Sequence, residues 1–182
     1  MQTKLKQKKC KQCQIYFNAR SSTQIVCGWE CAIQLNNAKR IKTEKKETRD
    51  AKLRLKSRAE WAREAQNAFN KYIRQRDKSE PCISCQRRHS GQYHAGHYRS
   101  VGAISSLRYC ELNVHKQCAP CNNHLSGNIV NYRINLIKKI GIEQVEWLES
   151  YNEVVKYTID DLKRIKKEYV DKFTNMNNNE PT

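Results

Sequence analysis

Two C-x-x-C pairs, Cys82/Cys85 and Cys118/Cys121, enclose a stretch containing His94, His97, Asn113 and His115. The second pair runs directly into Asn122 and His124. Four thiolates set as two knuckles make a closed tetrahedral zinc site, which ties two chain segments together and stays chemically inert. The histidines inside that frame are then left for other work. A neutral imidazole titrates near working pH, so it suits the removal of a proton from an attacking water. A single histidine is ordinarily a structural residue. Here four of the five lie between His94 and His124, and such gatherings of titratable groups mark working sites.

A second set, Cys10-x-x-Cys13 and Cys27-x-x-x-Cys31, has the spacing of a small zinc knuckle. Ile15-Tyr16-Phe17 and Ile25-Val26 are expected to pair as a hairpin within it, and a helix is expected to begin near Trp29. Eight of the nine cysteines are thus used as ligands, and Cys110 reads as a buried apolar thiol. Cysteines paired in this way, with no apolar segment after the lysines of Met1–Lys9, point to a reducing, cytoplasmic setting. No run of eighteen apolar residues is available to span a membrane.

The elements that must hold these residues are mostly helical. The chain has 182 residues, of which 38% are hydrophobic and 29% charged, so one large core is not expected and metal cross-links would compensate. A formal charge of +17 favours a polyanion, nucleic acid first among them. Residues 1–35 form the N-terminal knuckle, and residues 36–56 a basic helical arm. The arm carries Lys39, Arg40, Lys42, Lys45 and Lys46, and is either a solvated spacer or a phosphate-contacting surface. Ser57-Arg58-Ala59-Glu60 has the capping-box pattern and opens a helix with Trp61, Ala65, Phe69, Tyr72 and Ile73 on one face, ended by Pro81. Ile129–Tyr151 reads as two short helices broken at Gly141. A last helix starts at Thr158 with Leu162, Ile165, Tyr169 and Phe173 inward. Residues 57–173 make one domain, and the Asn-rich residues 174–182 read as disordered.

His97, Asn113 five residues before Cys118, and Asn122 after Cys121 resemble the HNH nuclease motif, a ββα-metal site on a zinc-braced hairpin. In that motif a histidine ends the first strand, an asparagine precedes the C-x-x-C pair by five residues, and a metal ligand follows the last cysteine. Two positions depart from it. Gly96 stands where an aspartate usually binds the metal, and Leu125 where many such motifs carry lysine.

The likeness extends further. Cys82-Ile83-Ser84-Cys85, Ala95-Gly96-His97-Tyr98-Arg99, His115-Lys116-Gln117-Cys118 and Cys121-Asn122-x-His124-x-Ser126-Gly127-Asn128 resemble the NinG (Rap) recombination proteins of lambda-like phages, over nearly the whole chain. That resemblance implies a structure-specific endonuclease acting on branched double-stranded DNA such as Holliday junctions and D-loops. The expected fold is mostly α with a small ββα-metal core.

In that expectation His97 is the base and Asn113 orients it. Asn122 and His124, with help from His94, hold a catalytic Mg²⁺ or Mn²⁺. Arg99, Arg108 and Lys116 are phosphate contacts, while His115 is either a substrate contact or structural. Two structural zinc ions complete the cofactors, and symmetric resolution of a junction would call for a homodimer. The alternative is a non-catalytic zinc module that binds nucleic acid, which Gly96 favours. A protein-binding adaptor gains little from so basic a chain.

Overall fold

A computed structural model of the chain describes residues 7–178. They form two compact units that divide between Lys56 and Ser57.

In the first unit, β1 (Gln7–Lys9) pairs antiparallel with β2 (Tyr16–Asn18), Lys8 opposite Phe17. This corrects the expected pairing of Ile15–Phe17 with Ile25–Val26. The chain reverses across the first cysteine pair and the residue after it, where Gln14 takes φ +63° and its N–H donates to the Cys10 carbonyl at 3.0 Å. The segments flanking that turn are therefore the ones brought together. Ile25 contributes only its carbonyl, which accepts the Lys11 N–H at 3.0 Å. Helix α1 (Trp29–Leu55) follows and is continuous across Leu35 and Asn36, so the basic arm grows directly out of the knuckle. Its 27 residues span about 40 Å. Glu30 in the first turn and Lys52 and Arg54 in the last complement the helix dipole. None of its residues is buried.

The second unit starts with α2 (Arg58–Arg76). The Ser57 N–H donates to Glu60 Oε2 at 2.8 Å and the Glu60 N–H to Ser57 Oγ at 3.3 Å, which closes the capping box. Trp61, Ala65, Phe69 and Ile73 recur every four residues and form one buried face. That face packs on Leu162, Ile165 and Tyr169 of α5 (Ile159–Asn178), with Phe69 edge-on to Tyr169 at 4.7 Å. Each large side chain so buried stabilises the unit by about 1.5–3 kcal/mol. The helix stops at Arg76, ahead of Pro81, with Asp77 as its C-cap and the Asp77 carboxylate buried.

Helix α5 also runs past its expected end. Residues 174–178, expected to be disordered, are helical, and the rest of that tail, 179–182, lies outside the described residues. No glycine or proline interrupts the stretch. Thr174 Oγ1 donates back to the Val170 carbonyl at 2.9 Å, and Gln75 Nε2 of α2 reaches Asn177 Oδ1 at 3.1 Å.

Between these helices β3 (Tyr93–His97) pairs antiparallel with β4 (Val114–Cys118), setting His97 opposite Val114 and Gly96 opposite His115. Two short 3-10 turns, Ser105–Tyr109 and Glu111–Asn113, fill the connection. After β4 comes a wide turn, Pro120–His124, and then α3 (Ile129–Ile140). Gly141, at φ +87°, permits the sharp break before α4 (Ile142–Ser150). A second core joins Ile83, Tyr98, Ile104 and Leu107 to Tyr132, Leu136, Val145 and Leu148. Cys110 lies half-buried at its edge rather than fully inside as expected. Among the described residues no helix is long and apolar enough to cross a membrane.

Candidate active site

Both cysteine sets converge. The sulfurs of Cys10, Cys13, Cys27 and Cys31 lie within 4.8 Å of one another, and so do those of Cys82, Cys85, Cys118 and Cys121. Tetrahedral thiolates about 2.3 Å from Zn²⁺ sit about 3.8 Å apart. The separations are 3.6 Å for Cys13–Cys27, 3.5 Å for Cys27–Cys31 and 3.8 Å for Cys85–Cys118. Backbone N–H groups support the sulfurs, Cys27 N–H on Cys10 at 3.4 Å and Cys118 N–H on Cys82 at 3.3 Å. The donors fit two structural zinc ions.

His97 ends β3, and its Nε2 lies 3.0 Å from the Arg108 carbonyl oxygen. A carbonyl only accepts, so the proton of the neutral ring sits on Nε2 and Nδ1 keeps its lone pair. Burial, aided by the Arg108 charge, lowers the His97 pKa below the usual histidine range, which keeps that lone pair free near neutral pH. His97 and Asn122 line one open cleft of about 480 Å³, together with Arg99, Ser100, Ser126 and Gly127.

Asn113 braces this arrangement. It is 0% exposed; its Oδ1 accepts the Arg99 N–H at 2.8 Å, and its Nδ2 donates to the carbonyls of Arg99 at 3.0 Å and Leu107 at 3.1 Å. Its own carbonyl accepts the Tyr98 N–H at 2.8 Å. One side chain thus ties the chain just past His97 to the turn whose next carbonyl, that of Arg108, orients the imidazole.

The expected divalent-ion ligands do not assemble. Strand alternation puts His94 on the face opposite His97, where its Nε2 is buried without a hydrogen-bond partner. His124 is exposed and does not line the cleft. Among the described residues, no set of three His, Cys, Asp or Glu converges except the two cysteine clusters. Asn122 remains: its Nδ2 donates to Asn123 Oδ1 at 2.8 Å, and among the described residues no group donates to its Oδ1. Mg²⁺ keeps several waters and usually binds through one or two carboxylates plus substrate phosphate. Asn122 offers a single amide oxygen in their place, and no cage completed by His94 and His124 forms around it.

Gly96 has a different neighbour. A Cβ built on it would lie 2.2 Å from Gln117 Oε1, so the place of the missing aspartate is filled from across the hairpin. Gln117 is held there by donating to Ser84 Oγ at 2.6 Å and to the Gly127 carbonyl at 2.5 Å.

The expected phosphate contacts divide. Lys116 is buried, with its Nζ donating to the Lys78 carbonyl at 2.8 Å and stacked 4.5 Å from the Tyr93 ring. Arg99 Nη1 caps α4 through the Glu149 carbonyl at 2.5 Å. Both are structural contacts. Arg108 is tethered only through Nε, to Gln66 Oε1 at 2.7 Å. Lys39, Arg40, Lys42, Lys45 and Lys46 all stand exposed on α1.

His115 resolves as structural. It is buried, its Nε2 donates to the Leu112 carbonyl at 3.2 Å, and Arg76 reaches its Nδ1 at 3.0 Å. Asp77 lies beside it at 3.5 Å. Burial would raise the Asp77 carboxyl, but His115, Arg76 and the Lys116 N–H together hold it well below the usual carboxylate range. Asp77 and Arg76 escape sequence reading because nothing local marks them apart from any other charged pair. His89 had a usable signal. It lies four residues after Cys85, a ligand-like interval, and its Nε2 is 3.3 Å from the Cys85 sulfur.

A family model described as "Bacteriophage Lambda NinG protein" matches residues 2–180. The chain is 39% identical to Protein ninG of Escherichia phage lambda over 198 residues, covering 98% of this chain and 97% of that protein. It is 38% identical to Protein ninG of Salmonella phage P22 over 189 residues, covering 93% of each. With Protein ninG of Enterobacteria phage H19B the identity is 40% over 177 residues, covering 87% of this chain and 88% of the relative. No solved structure matches. On both the family model and these full-length relatives, the chain belongs to the NinG family.

Proposed function

We propose that this NinG protein is an HNH-like endonuclease that cuts branched double-stranded DNA during phage recombination, in the cytoplasm of the host. The observation that carries the reading is His97: its Nε2–H is fixed on the Arg108 carbonyl, and its Nδ1 is left as a base beside a cleft shared with Asn122. A water at Nδ1 would lose its proton there and attack a phosphodiester phosphorus. Asn113 positions the base. A hydrated Mg²⁺ or Mn²⁺ at Asn122 would neutralise phosphate charge and the leaving 3′-oxygen. Affinity would come from phosphate contacts, and selectivity from the shape of the branch. Two such sites in a homodimer would cut a junction symmetrically.

The test is a cleavage assay on linear, forked and four-way DNA across several divalent ions. The expected result is nicking of branched substrates only with Mg²⁺ or Mn²⁺, while His97→Ala binds equally and does not cut. Cutting by His97→Ala at the parent rate would overturn the assignment.

A second reading, a non-catalytic zinc module that binds nucleic acid, has its own support. No carboxylate lines the cleft, and Gln117 fills the place of the aspartate at Gly96. Tight binding of branched DNA with no scission under any divalent ion would select it.

A further inference from the structure

A second cleft lies on the same unit, about 420 Å³ in volume and lined by Arg58, Ala59, Ala62, Arg63, Gln66, Asn67 and Arg108. Its polar lining consists of three guanidinium groups and two amides, with no carboxylate among them. The three arginines are not equally free. Arg58 Nη1 donates to the Tyr157 carbonyl at 3.2 Å. Arg108 is held by its Nε–H on Gln66 Oε1 at 2.7 Å and lies over the Tyr109 ring at 5.6 Å, which leaves its two Nη groups without a hydrogen-bond partner among the described residues. Arg63 stands exposed one turn along α2, and none of the hydrogen bonds or ion pairs found engages it.

A guanidinium anchored through Nε and offering both Nη groups is a preorganised fork for an oxyanion, and a carboxylate-free wall leaves it uncompensated. Arg108 also faces two ways. Its side chain lines this cleft, while its backbone carbonyl holds the His97 imidazole. A ligand gripped by the side chain is therefore registered against the proposed base by a single residue.

We propose that this cleft, between α2 and the Ser105–Tyr109 turn, is a second phosphate-binding surface, in which Arg63 and Arg108 hold a backbone phosphodiester of the DNA engaged at His97. The inference rests on the nuclease reading for the identity of the strand, but its test does not depend on cutting. Phosphate contacts fix register without reading sequence, which suits a protein that selects by shape. Removing one such contact lowers the dependence of log K on log salt by about 0.9.

The experiment measures binding of a fluorescent four-way junction to the zinc-loaded protein by anisotropy, with no Mg²⁺ or Mn²⁺ added, across a salt series, for the parent, Arg63→Gln, Arg63→Lys, Arg108→Gln and Lys167→Gln. Lys167 is exposed on α5 and does not line the cleft, so it controls for loss of a charge. Arg63→Gln and Arg108→Gln should each weaken binding several-fold and lower the salt slope by about 1, and Arg63→Lys should restore part of both. Because Arg63 is exposed and unengaged, folding is not at stake in its variants. An unchanged slope in Arg63→Gln, or an equal loss in Lys167→Gln, would overturn the proposal. Parent binding that ignores salt would instead sink the DNA reading itself, and a cutting-competent His97→Ala would sink the mechanism while leaving this surface standing.

Discussion

The two cysteine clusters have the same four-sulfur composition and sit in opposite settings. Of the first four cysteines only Cys10 is buried; Cys13 and Cys27 are exposed, the paired strands are three residues each, and the helix that follows buries nothing. In the second unit Cys82, Cys118 and Cys121 are buried, and their frame is flanked by two apolar cores built from five helices and turns. Zinc bound at both sets would substitute for a core in one unit and supplement one in the other. A bundle of two or three turns without apolar burial cannot offset its conformational entropy, so the first cluster must contribute folding energy outright.

Metal removal gives the largest expected effect and breaks the comparison most directly. Structural zinc supplies on the order of 10–16 kcal/mol of apparent folding free energy in small zinc peptides. Stripping the protein with a strong chelator should collapse the knuckle around β1 and β2, read as loss of amide dispersion and exchange protection for residues 10–31. The α2–α5 pair should keep its protection, because Phe69, Ile73 and Tyr169 bury their surface without metal. Equal loss of protection in both units would show that the second cluster carries its unit too.

The next effect sharpens the description of the second unit. Asn113→Ala removes a fully buried amide and strands the Arg99 N–H and the Arg99 and Leu107 carbonyls. Leaving such groups unpaired costs about 1–3 kcal/mol. Urea unfolding should show a loss of that size with the knuckle unaffected, and the His97 ring resonances should broaden as the turn bearing Arg108 loosens. A stability change near zero would remove Asn113 from its bracing role.

Much of this was readable from residue order, and the reason is locality. Zinc knuckles, the Ser57/Glu60 box, the Thr158 start of α5 and the Gly141 break each depend on residues within a turn or two of one another. What escaped depends on pairing across the chain. That His94 and His97 lie on opposite faces follows from alternation once Tyr93–His97 is one strand, and residue order sets no clear bounds for so short a strand. That Gln117 covers Gly96, or that Lys116 spends its charge on the Lys78 carbonyl, is decided by the partner strand and by the end of α2. The tail was misread for a related reason, since the anchor for Asn177 is Gln75, 102 residues away.

Acid should separate the units again, by a smaller amount. Burial lowers the pKa of both His97 and His115 in the folded second unit, so the unfolded chain binds protons first. Their contribution is complete above about pH 6.5, the ordinary histidine value, and is lost as pH falls through it. Asp77, held below the usual carboxylate range, adds stability that is present above about pH 3.9 and is lost below it. Unfolding of the metal-loaded protein followed from pH 8 to 4 should show the second unit weakening from about pH 6.5 downward, and His115→Gln should flatten part of that slope. If His97 is the catalytic base, cleavage should hold to below pH 6.5 before it falls.

The smallest effect tests the emptiest part of the molecule. Ile41 lies mid-helix in α1 and is 47% exposed, whereas Ile73 on α2 is 0% exposed inside the α2–α5 core. The two side chains are chemically identical, so truncating each measures only what surrounds it. Ile73→Ala should cost about 2–5 kcal/mol, the transfer free energy plus the cavity left behind. Ile41→Ala should stay within about 0.5 kcal/mol, the ordinary result at a surface site, with the higher helix propensity of alanine offsetting part of any loss. A cost for Ile41→Ala approaching that of Ile73→Ala would mean that α1 buries this face against something in solution, and the arm would no longer be a solvated basic helix.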